Sequence, residues 1–272
     1  MTRRTLLIFA ALLPLAALSA PPARAGPAER MRMAVTTSFA NSGLAEVLLP
    51  ALEADTGVAV DLLVVGSGQA LRLARAGDVD AVLTHAPEAE RRFVAEGWAR
   101  ARVPVMRNDF VVIGPAGDPA GAGGAATAPE ALARIAAARA PFVSRGDDSG
   151  THMAERALWA AAGLSPEGAW YRPVGAGMGA ALNVAAGMGA YALSDRASWL
   201  AFGNRAGLSV AFEGDPRLEN PYSFLAVDPA RHPHVRAQAA ARVGAWLTSP
   251  RGRAAIAGHR AGGQAAFAPA PP

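Results

Sequence analysis

The sequence predicts an α/β protein built on parallel sheets, and three observations carry that expectation. Short β-like apolar runs alternate with helix-like runs along the whole chain, the pattern of sheets covered by helices. Three of those strands run into loops rich in hydroxyl and glycine residues that open directly into a helix, at 36–38, 66–69 and 144–151. Two long extended stretches, 104–115 and 219–227, interrupt the alternation and have the length to cross between two lobes. Crossings there divide the chain into one lobe of residues 26–110 with 220–272 and a second of residues 111–219.

The first 25 residues stand apart. Arg3 and Arg4 form a basic start, Thr5 to Ala20 is an uncharged and largely apolar run, and Ala23-Arg24-Ala25 has the small-x-small form of a cleavage site. That is the pattern of a secretory signal cleaved after Ala25. The run is short of the roughly 20 residues a spanning helix needs, so the expectation is export to the periplasm as a soluble protein. The formal charge of +4 then misleads. Three of the 26 basic residues lie in this segment with no acid, which leaves 23 against 22, a net of +1. Nothing there points to a nucleic-acid partner. The chain has no cysteine, which excludes disulfides, thiolate metal sites and thiol nucleophiles.

Taken in order, Met33 to Ser38 reads as an apolar strand ending in three hydroxyls, and Ser42 to Leu49 as an amphipathic helix capped by Ser42 ahead of Glu46. Val58 to Val65 reads as a buried parallel strand that ends in Gly66-Ser67-Gly68-Gln69 and a helix. Asp78 to His85 is a turn and strand, and Glu88 to Glu96 a helix stopped by Gly97. After the first long extended stretch, residues 118–128 read as a surface loop and Pro129 to Arg139 as a helix. Pro141-Phe142-Val143 leads into Ser144-Arg145-Gly146-Asp147-Asp148-Ser149-Gly150-Thr151, and a helix follows. Further helices are expected from the Gly175–Ala180 run through Ala185 and over Val235 to Leu247, with strands at 191–194 and 208–212. The Ala/Gly/Pro-rich tail from Gly262 is expected to fray.

Catalysis needs a base, a nucleophile or a metal, and the sequence offers none in a recognisable spacing. Gly66-x-Gly68 lacks the third glycine of a dinucleotide loop, and no Lys exists for a Walker motif. Asp147-Asp148-Ser149-Gly150 resembles a serine-protease nucleophile motif, but the α/β pattern contradicts that all-β fold, and no Gly-x-Ser-x-Gly elbow surrounds Ser67 or Ser149. The five His residues, 85, 152, 232, 234 and 259, fall in no metal-ligand spacing, and His232 and His234 should face opposite ways on the surface. No catalytic residue, metal or cofactor is therefore expected.

What remains is a set of donors: Thr36, Thr37, Ser38, Ser67, Arg145, Ser149 and Thr151, with the loop amides. Taken singly, the 144–151 loop could be no more than a capped helix start, with Ser149 or Asp148 as cap. Three such loops at the carboxyl ends of strands are a better match to an anion site, because ligands of α/β sheets sit there and helix starts favour negative charge. The donors suit a small, fully ionised oxyanion such as sulfate, molybdate or tungstate, with Asp147 or Asp148 supporting Arg145.

These pieces also resemble a known family, the tungstate-binding proteins of ABC uptake systems (TupA type). The resemblance lies in Thr36-Thr37-Ser38 with Ser42-Gly43, Gly66 to Leu71, Asn108 to Pro115, Ser144 to Thr151 and Asn220-Pro221-Tyr222, in that order over nearly all of the chain after the signal. It implies a two-lobed periplasmic-binding-protein fold of type II, two parallel-rich sheets joined by hinge crossings, with tungstate or molybdate as ligand. It further implies a monomer that delivers the anion to an ABC permease in the inner membrane. Phosphate-binding proteins of that fold carry a similar Arg-x-Asp-x-Ser-Gly-Thr loop, and by analogy Thr37, Ser38, Phe39 through its amide, Ser67, Arg145, Ser149, Gly150 and Thr151 should touch the anion. Those proteins place an acid for the phosphate proton where this chain has Thr84, His85 or Ala86, which disfavours phosphate. Ala180 departs from the polar residue expected after Gly177-Met178-Gly179. The alternatives are molybdate, sulfate or phosphate in the same fold, and, in a different class, a secreted enzyme acting on phosphate esters.

Overall fold

The computed structural model describes residues 29–271; the expected signal peptide lies outside them. The elements run β1 (Glu29–Thr36), α1 (Thr37–Asn41), α2 (Leu44–Thr56), β2 (Val58–Val65), α3 (Ser67–Ala76), β3 (Ala81–Thr84), α4 (Pro87–Ala95) and β4 (Val103–Pro115). They continue α5 (Ala128–Ala137), β5 (Phe142–Ser144), α6 (Gly150–Ala161), β6 (Tyr171–Pro173), α7 (Met178–Met188), β7 (Tyr191–Asp195), α8 (Arg196–Ala201), β8 (Leu208–Phe212) and β9 (Glu219–Ala226). The chain closes with α9 (Ala237–Thr248), α10 (Pro250–Gly258) and the short strands β10 (Arg260–Ala261), β11 (Gln264–Ala265) and β12 (Ala268–Pro269). No helix among the described residues is long and apolar enough to cross a membrane.

The alternation of strand and helix yields parallel pairs in both halves: β1 with β2 and β3, and β5 with β6 and β7. The two long extended stretches become β4 and β9, antiparallel partners that run the length of the fold and join everything into the order β2-β1-β3-β9-β4-β7-β5-β6. β4 changes partners midway. Residues 103–109 pair with β9, and residues 110–115 pair with β7 and β8.

Its side chains alternate across that second half, as a pleated strand requires. Phe110 and Val112 enter one hydrophobic cluster with Leu132, Phe142 and Trp159; Val111 and Ile113 enter another with Val143, Leu182 and Trp199. A second pair of clusters lies around β1, β3 and β9, built on Met33, Val35 and Phe224 on one face and Ala34, Val82 and Leu225 on the other. Each half therefore has its own two-sided core.

Several local expectations need correction. Val58–Val65 is an edge strand paired only with β1, and Val64 is exposed; Val60 and Leu62 pack half-buried on one cluster and Leu63 and Val65 on another, so both faces are covered only in part. Ser42 does not cap the following helix by a capping box. It closes α1, its hydroxyl donating to Phe39 O at 2.7 Å and accepting from Leu44 N, and Gly43 in the left-handed region opens α2. His232 and His234 act together, placing Nε2 at 2.9 Å from Arg75 O and Gly77 O, the carbonyls left free where α3 ends. The tail is docked. Phe267 is buried edge-on against Tyr222 at 5.6 Å, and β12 pairs with β4, so an apolar contact that composition does not reveal holds it. α8 lies within the stretch assigned to the second lobe, yet Ala197 and Leu200 join the core of the first half.

Candidate functional site

Four helix starts meet between the two halves. α1 and α3 follow β1 and β2 without a long loop; α6 follows β5 after five residues; α7 begins at Met178. A methyl group built on Gly66 would lie 3.6 Å from Ser149 Cα, and one on Gly68 would lie 3.0 Å from Asp148 O. One on Gly177 would lie 3.4 Å from Thr37 Cγ2. The cleft is thus closed, and small residues line the approach because a Cβ would hold the walls apart.

Within this closed region the hydrogen-bond accounts do not balance. Ser38 Oγ, Ser67 Oγ, Thr151 Oγ1 and the Nε and Nη1 of Arg145 are all buried and have no partner. Buried polar groups are otherwise almost always bonded, since stranding one costs about 1–3 kcal/mol. Five stranded donors from three loops, in one place, describe a cavity wall that a multi-acceptor ligand completes. They come from both halves of the fold: Ser38 and Ser67 from one, Arg145 and Thr151 from the other.

Arg145 is held rather than free to swing. Its Nη2 donates to Asp147 Oδ2 at 2.5 Å and to Thr37 Oγ1 at 3.2 Å, leaving its other two nitrogens for the cleft. Asp147 is therefore the support for Arg145, and its Oδ1 also accepts from Ser149 N at 3.2 Å. Asp148 instead adopts φ 53° and gives its N–H to His152 Nδ1. Beneath the loop, Glu155 is buried and accepts from Tyr171 Oη at 2.8 Å and Trp159 Nε1 at 3.2 Å. Burial raises its carboxyl to about 7, against the lowering effect of those donors.

Not every expected residue stands as a free donor. Ser38, Ser67, Arg145 and Thr151 do. Thr37 Oγ1 accepts from Arg145 Nη2, which leaves its hydroxyl proton to give. The Phe39 amide donates to Thr36 Oγ1 at 3.2 Å, so the N-cap of α1 competes for the group expected to meet the anion. Ser149 caps α6, accepting from His152 N at 3.2 Å, which leaves only its hydroxyl proton to give. Gly150 contributes closeness: a methyl there would sit 2.7 Å from Cδ2, Nε2 and O of His85.

The residue that sequence reasoning left without a role is His85. It is wholly buried after β3, stacked on Tyr222 at 4.6 Å and 9°, with Nδ1 2.7 Å from Asn220 Oδ1 and Nε2 unpartnered. Asn220 Nδ2 donates to Asn108 Oδ1 at 2.8 Å and Asp195 Oδ2 at 2.7 Å, which fixes its oxygen as the acceptor for His85 Nδ1–H. Asp195 also accepts from Tyr222 Oη, Asn108 Nδ2 and Ser198 N. This network ties the cleft to the paired residues Asn108 and Asn220 at the crossing. The signal for it was the unusual His after an all-apolar strand, but its partners lie 135 and more residues away.

Elsewhere, an open pocket of about 560 Å³ has its charged lining paired off, Arg107 with Glu219 and Arg196 with Asp109. Among the described residues no three His, Asp or Glu side chains gather as metal ligands do.

The family model described as PBP superfamily domain matches residues 22–251. The tungstate-binding protein TupA of Peptoclostridium acidaminophilum is 39% identical over 228 residues, covering 82% of this chain and 79% of its own. The crystal structure of the tungstate ABC transporter from Geobacter sulfurreducens superposes with TM-score 0.77 at 47% identity, over 84% of this chain and 97% of that one. The tungstate-binding protein TupA of Desulfovibrio alaskensis G20 gives TM-score 0.76 at 41% identity, over 89% and 99%.

Proposed function

This chain belongs to the PBP superfamily and, within it, to the tungstate-binding proteins of ABC transporters, and on that premise we propose that it captures tungstate as the substrate-binding component of an ABC importer. One observation carries the reading from the family to these residues. Ser38, Ser67, Thr151 and two nitrogens of Arg145 are buried donors without acceptors in one closed cleft. A tetrahedral oxyanion offers four oxygens that accept and none that donate, so it satisfies all five at once.

The two halves act as the lobes, residues 26–110 with 220–272 and residues 111–219, hinged where β4 and β9 cross. The separate cores on either side support that division, with α8 as the element that bridges it. Opening hydrates the donors; anion binding selects the closed form because only there do donors from both lobes reach one ion. The closed monomer then delivers its cargo to a permease at the periplasmic face of the inner membrane. Binding and not turnover is the role: the only charged group among the stranded donors is a guanidinium, which is neither nucleophile nor base.

Isothermal titration of the protein without its leader against tungstate, molybdate, sulfate and phosphate tests this. We expect saturable one-to-one heat with tungstate at micromolar protein, and less or none with sulfate and phosphate. No heat with tungstate or molybdate would refute it.

A further inference from the structure

We propose that His85 is a further ligand-facing residue, and that it takes up one proton from solvent when a fully ionised dianion enters the cleft, so that capture is proton-coupled. The inference rests on the anion-binding reading above and adds a charge-balancing group to it.

The geometry has three parts. First, His85 Nε2 is buried without a partner and lies against Gly150, the residue that opens α6 and precedes the stranded donor Thr151. Second, Nδ1–H is committed to Asn220 Oδ1, so the neutral ring presents a lone pair at Nε2. Every other stranded side-chain group of the cleft can donate; this one, while neutral, cannot. Third, the only fixed positive charge of the site is already answered: Arg145 is paired with Asp147. A dianion therefore adds two negative charges beside an Arg145–Asp147 pair whose own sum is zero, and the Asp195 carboxyl behind the ring offers no positive charge to offset them.

The groups around His85 allow one resolution. From β9 it meets Asn220 and Tyr222, and across the crossing Asp195 at the end of β7; from the β5–α6 loop, Arg145 and Asp147. Glu90 on α4 is engaged by Arg102, Thr84 and the Ala86 N–H, and His152 on α6 is turned to Asp148. Burial holds the ring at about 4 without ligand, with Asp195 pulling upward and Arg145 downward. Two added negative charges beside it favour the imidazolium. The proton comes from buffer and forms an N–H bond at Nε2, which turns the lone pair into a sixth donor to the anion.

The test is calorimetry of tungstate binding at pH 7.5 in PIPES and in Tris, buffers of very different ionisation enthalpy. The wild-type protein should show buffer-dependent heats equivalent to about one proton taken up per anion, with affinity falling up to tenfold per pH unit as pH rises. His85→Gln, checked for folding by circular dichroism, should bind with heats independent of buffer. Long-range proton–nitrogen spectra should show Nε2 gaining a proton on saturation. Equal heats for the wild type in both buffers overturn this inference alone, as does uptake that persists in His85→Gln. No heat with any tetrahedral anion overturns the anion-binding reading and this with it.

Discussion

Arg145 reaches across the cleft to Thr37: its Nη2 donates to Thr37 Oγ1 at 3.2 Å while the same nitrogen holds Asp147 at 2.5 Å. One guanidinium edge thus latches the two halves of the fold and the other faces the stranded hydroxyls. Closure and ligand recognition depend on the same side chain.

Arg145→Ala should abolish oxyanion binding and leave the fold intact. Two charge-assisted hydrogen bonds at about 1.5–3 kcal/mol each amount to about two to four orders of magnitude in affinity. Asp147, partly exposed, can be hydrated once its partner is gone. Titration calorimetry with tungstate and thermal melts measure both sides; retained affinity would mean that another loop holds the anion.

Gly150→Ala should keep the protein folded but hinder closure. The new methyl would sit 2.7 Å from Cδ2, Nε2 and O of His85, on the opposite wall of the cleft. Separation of the walls by a fraction of an ångström breaks several donor contacts together, so at least a tenfold loss of tungstate affinity, about 1.4 kcal/mol, is expected. Small-angle scattering of the saturated variant should retain the open dimensions; an unchanged contraction on binding would contradict this.

Glu155 should make the protein less stable at high pH. Burial raises its carboxyl from the ordinary 4.5 to about 7, so the folded chain holds a proton that the unfolded chain releases across that window. Stability contributed by the neutral carboxyl is full below about 4.5 and falls as pH rises through 7, by about 3 kcal/mol in all. Urea unfolding of wild type and Glu155→Gln at pH 5 and 8 should show the gap between them shift by that order; a constant gap would refute it.

His85 acts in the opposite sense without ligand. Its folded value is lowered from 6.5 to about 4, so unfolding takes up a proton in between, and stability is lost as pH falls from 6.5 towards 4. His85→Gln should lose less stability than wild type over that range, measured by urea midpoints at pH 4.5 and 7.

Phe267→Ala should cost about 3 kcal/mol, the usual range for an aromatic core truncation. A shift in the urea midpoint near zero would mean that the tail is frayed after all.

The class of fold and the candidate donors are both legible in the local residue pattern. Strand–loop–helix alternation is a local property, and so is the run of donors that ends a strand; Ser38, Ser67, Arg145 and Thr151 could be picked from it because helix starts leave N–H groups exposed and small hydroxyl residues gather there. The long stretches that became β4 and β9 were visible for the same reason: no helical period interrupts them. The tertiary structure alone decided which donors are spent and which are free. The Phe39 amide goes to Thr36, and one Arg145 nitrogen goes to Thr37 Oγ1 across the cleft, contacts that depend on angles and distances no residue pattern encodes. It also decided the place of His85, whose Nδ1 partner, Asn220, lies 135 residues away. That bond is set by β3 lying beside β9, a pairing of segments far apart in the chain, and the charge balance of the buried site exists only once such segments are brought together.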